Sequence, residues 1–315
     1  MEAADLSKHR ERRVHALAAE QAGILSRTQL YSLGATRGRV RANVRARRWR
    51  RVGSQSISLT TGPLTRDAQQ WAAVFEAGPR AFLDGASSLI ASGLRGFTET
   101  TIRVSVPRGA RVRRARGLDI RQTRRWQSDD VVETGVPRSR PAVAAVRGAL
   151  WARSDKQAAL LLTMTVQQGL VEADSLGVEL LRVRRDRRRA LAYAVVLDLL
   201  DGVRSLGEAE FKRMCHRRGL PEPTRQVIRK GRNGSYYLDA EWEHCGVVVE
   251  IDGIQHAWAQ NVVQDALRQN DVTITHARVL RLPLLGLRVA ADDFFAQIRD
   301  ALVQAGCSLD SDRPA

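Results

Sequence analysis

Residues 236–256 read Tyr236-Tyr-Leu-Asp-Ala-Glu-Trp-Glu-His-Cys-Gly-Val-Val-Val-Glu-Ile-Asp-Gly-Ile-Gln-His256, and they decide the fold of the C-terminal third of the chain. The pattern predicts a strand at 236–242, a tight turn at 243–246 and a second strand at 247–251. Because the second strand is rich in β-branched residues, we expect it to be central and buried. It nevertheless ends in Glu250 and Asp252, and buried acids are rare unless they are paired or hold a metal.

Polar side chains from both strands are expected to meet at one edge of this sheet. Asp239 lies on the first strand, and residues near the same end of an antiparallel pair face each other closely. Asp239, Glu250 and Asp252 would then lie together, with His256 just beyond them. Such carboxylates suit Mg²⁺, which also accepts water and substrate phosphates as ligands. The sequence therefore predicts a Mg²⁺ (or Mn²⁺) site on these three acids, suited to phosphodiester hydrolysis.

A resemblance to a nuclease family rests on several matching motifs. The chain resembles PD-(D/E)XK nucleases related to very-short-patch-repair endonucleases in Asp239-Ala-Glu-Trp242, Val249-Glu250-Ile-Asp252-Gly253-x-x-His256, Asp265-Ala-Leu-Arg268, Val279-Leu-Arg281 and Ser205-Leu-Gly-Glu208. The match covers about residues 205–306 and implies a restriction-endonuclease-like mixed sheet flanked by helices. It also implies a set of catalytic residues, namely Glu208, Asp239, Glu250, Asp252, His256 and Arg268.

Several of these residues have a second interpretation. Asp252 stands where the general motif has its catalytic Lys, so the general base is undefined and His256 is the candidate. Glu208 also completes a capping box with Ser205, which is a sufficient structural role. Arg268 either pairs with an acid one helical turn away or stabilises phosphoryl charge. Arg281 is expected to pair with an acid of the site.

Charge points to a nucleic-acid partner. The net charge is +17 and the isoelectric point is about 11.1, which implies a polyanion such as DNA. Residues 1–60 contain 13 Lys and Arg against four acids, whereas residues 205–307 contain 13 of each sign. The proposed nuclease module is therefore not the part that grips DNA by bulk charge.

Residues 1–62 have the pattern of a winged helix. Helices are predicted at 9–21, 27–33 and 37–47, followed by a hairpin at 49–58 with Gly53 at its tip. This order is that of a helix-turn-helix whose last helix enters the major groove. The segment resembles the winged-helix region of AbiEi-type antitoxins, although arginines also simply solvate surface helices. The predicted DNA-binding residues are Arg37, Arg39, Arg41, Arg45, Arg47, Arg48, Arg50 and Arg51.

The rest of the chain completes an α/β (α+β) architecture. Residues 63–200 are expected to form a mixed α/β region, 201–307 the nuclease domain and 308–315 a disordered tail. No apolar run is long enough to span a membrane. The N-terminus has no secretory signal, and three distant cysteines argue against a disulfide framework and show no zinc spacing. We expect a cytoplasmic location.

Two hypotheses of different classes follow. The first is a metal-dependent DNA endonuclease whose winged helix grips DNA. The second is an AbiEi-like DNA-binding regulator or antitoxin whose nuclease fold is inactive. A nuclease acting on branched or mismatched DNA, or on RNA, is a variant of the first. The sequence identifies neither a toxin or repair partner nor an oligomeric state.

Overall fold

The computed structural model describes residues 2–110, 112, 115–123, 127–201, 208–230, 236–252, 263, 266–267, 269–270 and 279–309. The chain folds into two compact units, Met1–Arg147 and Gly148–Ala315. Both combine helices with β-sheet, which confirms the predicted α/β class. Within the described residues, every helix is too short or too polar to cross a membrane.

The first unit begins with three helices and three short strands. These are α1 (Glu2–Glu20), β1 (Ile24–Ser26), α2 (Arg27–Ser32), α3 (Arg37–Arg45), β2 (Arg50–Arg51) and β3 (Ser56–Ser58). The strands pair antiparallel in the order β1-β3-β2. Helix α1 begins seven residues before the predicted start, whereas the predicted ends of α2 and α3 lie within two residues of the observed ones.

Polar caps fix where α2 and α3 begin. The Ser26 hydroxyl accepts the Gln29 N–H at 3.1 Å, and the Gln29 side chain accepts the Ser26 N–H at 2.9 Å. Thr36 caps α3 by accepting the Arg39 N–H at 3.2 Å. Each cap satisfies backbone donors that have no partner inside the helix. Beneath the caps the helices and sheet share an apolar core, formed by Val14, Ala18, Leu25, Leu30, Val40 and Ile57.

The remainder of the first unit is a mixed sheet with helices. Its elements are α4 (Arg66–Ala77), β4 (Phe82–Leu83), α5 (Gly85–Ala91), β5 (Ile102–Pro107), β6 (Leu118–Thr123), β7 (Val131–Val132), β8 (Arg138–Ser139) and α6 (Pro141–Leu150). The strand order is β6-β5-β4-β8-β7. Helix α4 packs against both β1 and β3, so it joins the N-terminal sheet to this second sheet.

A buried ionic network holds this mixed sheet to its helices. Asp84 caps α5, is fully buried and accepts hydrogen bonds from the Ser105 and Ser139 hydroxyls at 2.6 and 2.8 Å. Arg147 bridges Asp84 and Asp130, at 3.1 Å to each carboxylate. Buried charges are tolerated when they are paired and hydrogen-bonded in this way. The network therefore has a structural role.

The second unit contains a four-stranded sheet among helices. Its labelled elements are α7 (Asp155–Gln167), α8 (Ala173–Leu181), α9 (Arg189–Asp201), α10 (Glu208–His216), β9 (Arg225–Lys230), β10 (Tyr236–Trp242), β11 (Val247–Asp252), β12 (Val279–Pro283), α11 (Leu284–Val289) and α12 (Ala291–Gln304). The strand order is β12-β11-β10-β9, with only the β11–β12 pair parallel among these four. Strand β11 is central, as predicted.

The helices before residue 201 share a core with the C-terminal sheet. The sequence suggested a boundary near 200, but α11 packs against α7 and α9. Arg288 of α11 forms ion pairs with Asp198 of α9 and Glu210 of α10, both at 2.8 Å. Asp198 is fully buried on its side-chain atoms, so this contact is an internal one. The compact unit therefore begins at Gly148.

The cysteines correct one prediction. Cys245 and Cys307 form a disulfide across 62 residues, with Cα atoms 5.8 Å apart. The argument against disulfides was wrong for this pair, because an odd count does not show which residues folding brings together. The third cysteine, Cys215, is free and buried. Burial raises the pKa of its thiol to about 12, so it carries a proton at neutral pH.

Candidate metal centre and nucleic-acid interface

Three acids lie next to one another on one face of the second unit's sheet. In the β10–β11 pair Asp239 is directly opposite Glu250, and Asp252 follows two residues later on the same face. The side chains that alternate with them, Leu238, Ala240, Val249 and Ile251, are completely buried on the other face. Strand alternation therefore forces the three acids onto the more accessible side. We call Asp239, Glu250 and Asp252 the acidic face.

Arg281 joins the acidic face from the neighbouring strand. Strand β12 runs parallel to β11 and places Arg281 beside Glu250. The Arg281 Nε lies 3.3 Å from a Glu250 carboxylate oxygen, which confirms the expected pairing with an acid of the site. The Arg281 side chain is 62% exposed, so it can also face a ligand above the sheet.

Asn270 fixes the backbone of Arg281. Its side-chain amide donates to the Arg281 carbonyl and its oxygen accepts the Arg281 N–H, both at 3.0 Å. The same amide donates to Gln297 at 3.1 Å, and Gln297 donates to the Leu267 carbonyl at 2.8 Å. Asn270 is 1% exposed. Sequence reasoning missed this residue, which holds β12 against the rest of the unit.

The electrostatics of the acidic face favour a cation. Burial raises the pKa of Asp252, and the negative charges of Glu250 and Asp239 raise it further, while Arg281 opposes the shift. A carboxyl with a raised pKa gains from any positive charge that enters beside it. Carboxylate oxygens are also the ligands that Mg²⁺ prefers. The residue types and their arrangement therefore fit a divalent cation.

A tighter group of potential metal ligands lies at the far end of the β10–β11 hairpin. Among the described residues, the binding atoms of His244, Cys245 and Cys307 all lie within 4.8 Å of one another. The two sulfurs are bonded to each other, whereas metals bind thiolates. The acidic face instead offers carboxylates. Mg²⁺ uses one or two protein carboxylates and completes its shell with water and phosphate.

The other predicted residues lie wholly or partly outside the described residues. His256, Asp265 and Arg268 lie outside the described residues. Glu208 begins helix α10, but its side chain lies outside the described part of the chain. The acidic face thus contains three of the six predicted catalytic residues, and Arg281 pairs with one of them, Glu250.

A second surface lies on the first unit, where arginines line a groove. Arg37, Arg41 and Arg45 recur every four residues along α3 and so occupy one face of the helix. Together with Arg27 and Arg51 they line a cleft of about 790 Å³ between α2, α3 and the β2–β3 hairpin. We call these five residues the basic groove. Arginine is the side chain best suited to bind phosphate and guanine.

The remaining predicted DNA-binding arginines lie elsewhere. Arg39 pairs with Glu11 of α1 at 3.2 Å, Arg47 and Arg48 are exposed beyond α3, and Arg50 is half-buried in β2. Arg27 was not predicted. Its Nε is buried and lacks a hydrogen-bond partner within the described structure. No local signal distinguishes Arg27 from its neighbours, because the groove forms only when α2 packs beside α3.

One carboxylate fastens the hairpin that borders the groove. Glu76 of α4 accepts the backbone N–H groups of Ser54, Gln55 and Ser56 at 2.7–2.9 Å. It also accepts both serine hydroxyls, at 2.8 and 2.7 Å. Gly53 must lack a side chain here, because a Cβ atom would collide with the Glu76 carboxylate. We call these five hydrogen bonds the hairpin latch.

No model of a known protein family matches the sequence. No curated protein matches it either.

Proposed function

We propose that this protein is a metal-dependent DNA endonuclease. The observation that carries the proposal is the strand register that sets Asp239 opposite Glu250, with Asp252 beside them and Arg281 paired to Glu250. Clustered carboxylates on an accessible sheet face are suitable ligands for a divalent cation. The motif resemblance to PD-(D/E)XK nucleases supports the same reading.

Each residue of the acidic face has a definite task in this proposal. Asp239 and Glu250 would hold Mg²⁺ or Mn²⁺, and the bound metal would activate water and neutralise phosphoryl charge. Arg281 holds the Glu250 carboxylate in position and presents a cation to the phosphodiester. Hydrolysis adds a water oxygen to phosphorus, breaks one P–O ester bond and transfers a water proton to a base. Asp252 serves as a further ligand or as that base, because its pKa is raised.

DNA would be gripped by the first unit. The basic groove lies between a helix-turn-helix-like pair and a hairpin, which is the arrangement of a winged helix. Five guanidinium groups around one cleft supply phosphate contacts, and Arg45 and Arg41 lie along α3 where base edges are read. Metal-independent DNA binding by this groove is therefore part of the proposal. A cytoplasmic location stays a prediction.

The test is cleavage of supercoiled plasmid by purified protein with Mg²⁺ or Mn²⁺. Wild type is expected to nick or linearise the plasmid, and chelation of the metal is expected to stop it. Asp239→Ala and Glu250→Ala should abolish cleavage. Glu243→Ala is the matched control, because Glu243 is an exposed acid in the turn of the same hairpin. Cleavage that persists in both acid variants would exclude the acidic face as the active site.

A second candidate function is DNA-binding regulation by an inactive nuclease fold. Asp252 occupies the position of the general motif's lysine, and the basic groove does not depend on the acidic face. An AbiEi-like regulator would bind a specific duplex through the groove and leave every substrate intact. Equal inertness of wild type and acid variants on duplex, single-stranded and mismatched DNA, with DNA binding retained, would favour this function.

A further inference from the structure

A second cleft of the first unit has no part in the proposed function. It has a volume of about 720 Å³ and lies between the tip of the β2–β3 hairpin, helix α4 and the ends of β5 and β6. This volume is in the range of small-molecule sites. The cleft that the basic groove lines shares only Ser54 with this second cleft, so the two clefts are separate binding surfaces.

The walls of this cleft combine apolar side chains with cations. Leu64, Ala72 and Leu118 are among its apolar lining residues. Two arginines, Arg66 and Arg116, also line the cleft. Apolar walls with a few convergent polar groups are typical of small-ligand pockets. Two guanidinium groups favour a carboxylate or phosphate group, which they can bind through paired hydrogen bonds.

Two acids, Glu99 and Glu76, also line the cleft, and both already accept hydrogen bonds from the protein. Glu99 accepts the Ser87 hydroxyl at 2.5 Å, and burial raises the pKa of its carboxyl despite this bond. The positive charges of Arg103 and Arg66 offset this rise only in part. Glu76 is the other acid, and its oxygens are occupied by the hairpin latch. The guanidinium groups of Arg66 and Arg116 are therefore the charges best placed to meet a ligand.

We propose that this cleft binds a small organic anion, with its carboxylate or phosphate group on Arg66 and Arg116 and its apolar body against Leu64, Ala72 and Leu118. The site is distinct from both the acidic face and the basic groove. It requires neither DNA binding nor catalysis.

Occupancy of the cleft would act on the hairpin. Ser54 and Glu76 line the cleft and also form part of the hairpin latch, and Gly53, which precedes Ser54, lines the cleft as well. A ligand packed against them restricts the opening of the hairpin and keeps water from the latch. Exchange of the backbone hydrogens at residues 54–56 should therefore slow when the ligand binds. The hairpin borders the basic groove, so the ligand would stabilise one wall of that surface.

Isothermal titration calorimetry with three probes tests the site directly. Benzoate and phenyl phosphate carry the two oxyanion types on one apolar ring, and benzyl alcohol is the neutral counterpart. We expect one or both anions to bind, and benzyl alcohol to bind at least about tenfold more weakly, since hydrogen bonds between charged groups exceed 1.4 kcal/mol. Arg66→Gln and Arg116→Gln should each weaken anion binding. Arg80→Gln, an exposed arginine outside the cleft, should not.

Hydrogen exchange of the full chain provides the second arm. The bound anion should slow exchange at residues 54–56 in wild type and in Arg80→Gln, but not in Arg116→Gln. Absence of anion binding, equal binding of benzyl alcohol, or equal binding by the Arg66 and Arg116 variants would overturn the proposal. Neither measurement uses DNA or cleavage, so the outcome is independent of the proposed nuclease function.

Discussion

At the scale of single residues, the folded structure disfavours the ionised form of Asp252. Burial and two neighbouring acids raise the pKa of its carboxyl above the ordinary value of 3.8. A raised folded pKa means that the ionised form destabilises the folded state at neutral pH, and that this penalty vanishes as the pH falls below the unfolded value. Functional sites often hold such unfavourable charges.

Asp252→Asn should therefore stabilise the second unit while it abolishes cleavage. In metal-free buffer at pH 7 we expect Tm to rise by about 2–4 °C, as a change of about 1 kcal/mol does in a unit of this size. The gain should shrink toward pH 4. Differential scanning calorimetry measures it, with Asp300→Asn, an exposed acid on α12, as the control. A lower Tm at pH 7 would mean that Asp252 is a stabilising residue.

The acidic face was predictable because it depends on local rules. Strand alternation and a tight turn put Asp239, Glu250 and Asp252 on one face, and both features are visible in the sequence. Asn270 was not predictable, since its side-chain partners are 11 and 27 residues away. Arg27 was missed for a similar reason. Its place in the basic groove depends on packing between two helices, which leaves no local pattern.

At the scale of elements, the β2–β3 hairpin depends on Glu76. Burial raises the pKa of Glu76, but hydrogen bonds from Ser56, Gln55 and Ser54 outweigh it, and the net shift is downward from 4.5. A lowered folded pKa means that the stabilisation is complete above 4.5 and is lost as the pH falls through the folded value. The hairpin latch should thus weaken in acid.

Glu76→Gln should loosen the hairpin, because an amide replaces one acceptor oxygen with a donor. We expect the free energy of unfolding of the first unit to fall by about 1–3 kcal/mol at pH 7. The deficit should narrow below pH 4.5. Urea unfolding at several pH values measures it, and Glu20→Gln, an exposed acid on α1, is the control. Equal stability at pH 7 would show that the latch contributes nothing.

Elements defined by local chemistry were predicted more closely than their packing. Caps such as Ser26 and Thr36 mark helix starts in the sequence, and β10 begins and ends at its predicted residues. The packing of α11 against α7 and α9 could not be predicted from the sequence. It involves the ion pair Arg288–Asp198, whose two residues are far apart in the chain. The disulfide escaped prediction in the same way, since its loop spans 62 residues.

At the scale of the whole molecule, the disulfide links the central hairpin to the C-terminal segment after α12. Closing a loop of 62 residues reduces the conformational entropy of the unfolded chain. This stabilises the folded state by about 2–4 kcal/mol. Reductant should lower the Tm of wild type, and Cys307→Ser should lower it by a similar amount. Reductant should then have no further effect on the variant. Equal Tm values for oxidised and reduced wild type would contradict this role.

The charge distribution predicts that DNA binding and catalysis depend on different units of the chain. Residues 205–307 carry equal numbers of positive and negative side chains, whereas residues 1–60 carry a large positive excess. DNA affinity should therefore depend on the basic groove and turnover on the acidic face. Each phosphate contact contributes about 0.9 to the slope of log affinity against log salt.

The double variant Arg41→Ala, Arg45→Ala should weaken DNA binding and reduce the salt slope by about two, without lowering kcat at saturating DNA. Arg39→Ala is the matched control, because Arg39 lies on the same helix, α3, but pairs with Glu11 of α1. Glu250→Ala should leave affinity and slope unchanged but reduce kcat by about a hundredfold or more. Fluorescence anisotropy and plasmid cleavage give the two readouts. If the arginine variant lost kcat at saturating DNA, or Glu250→Ala lost affinity, the two surfaces would act as one site and the division would be refuted.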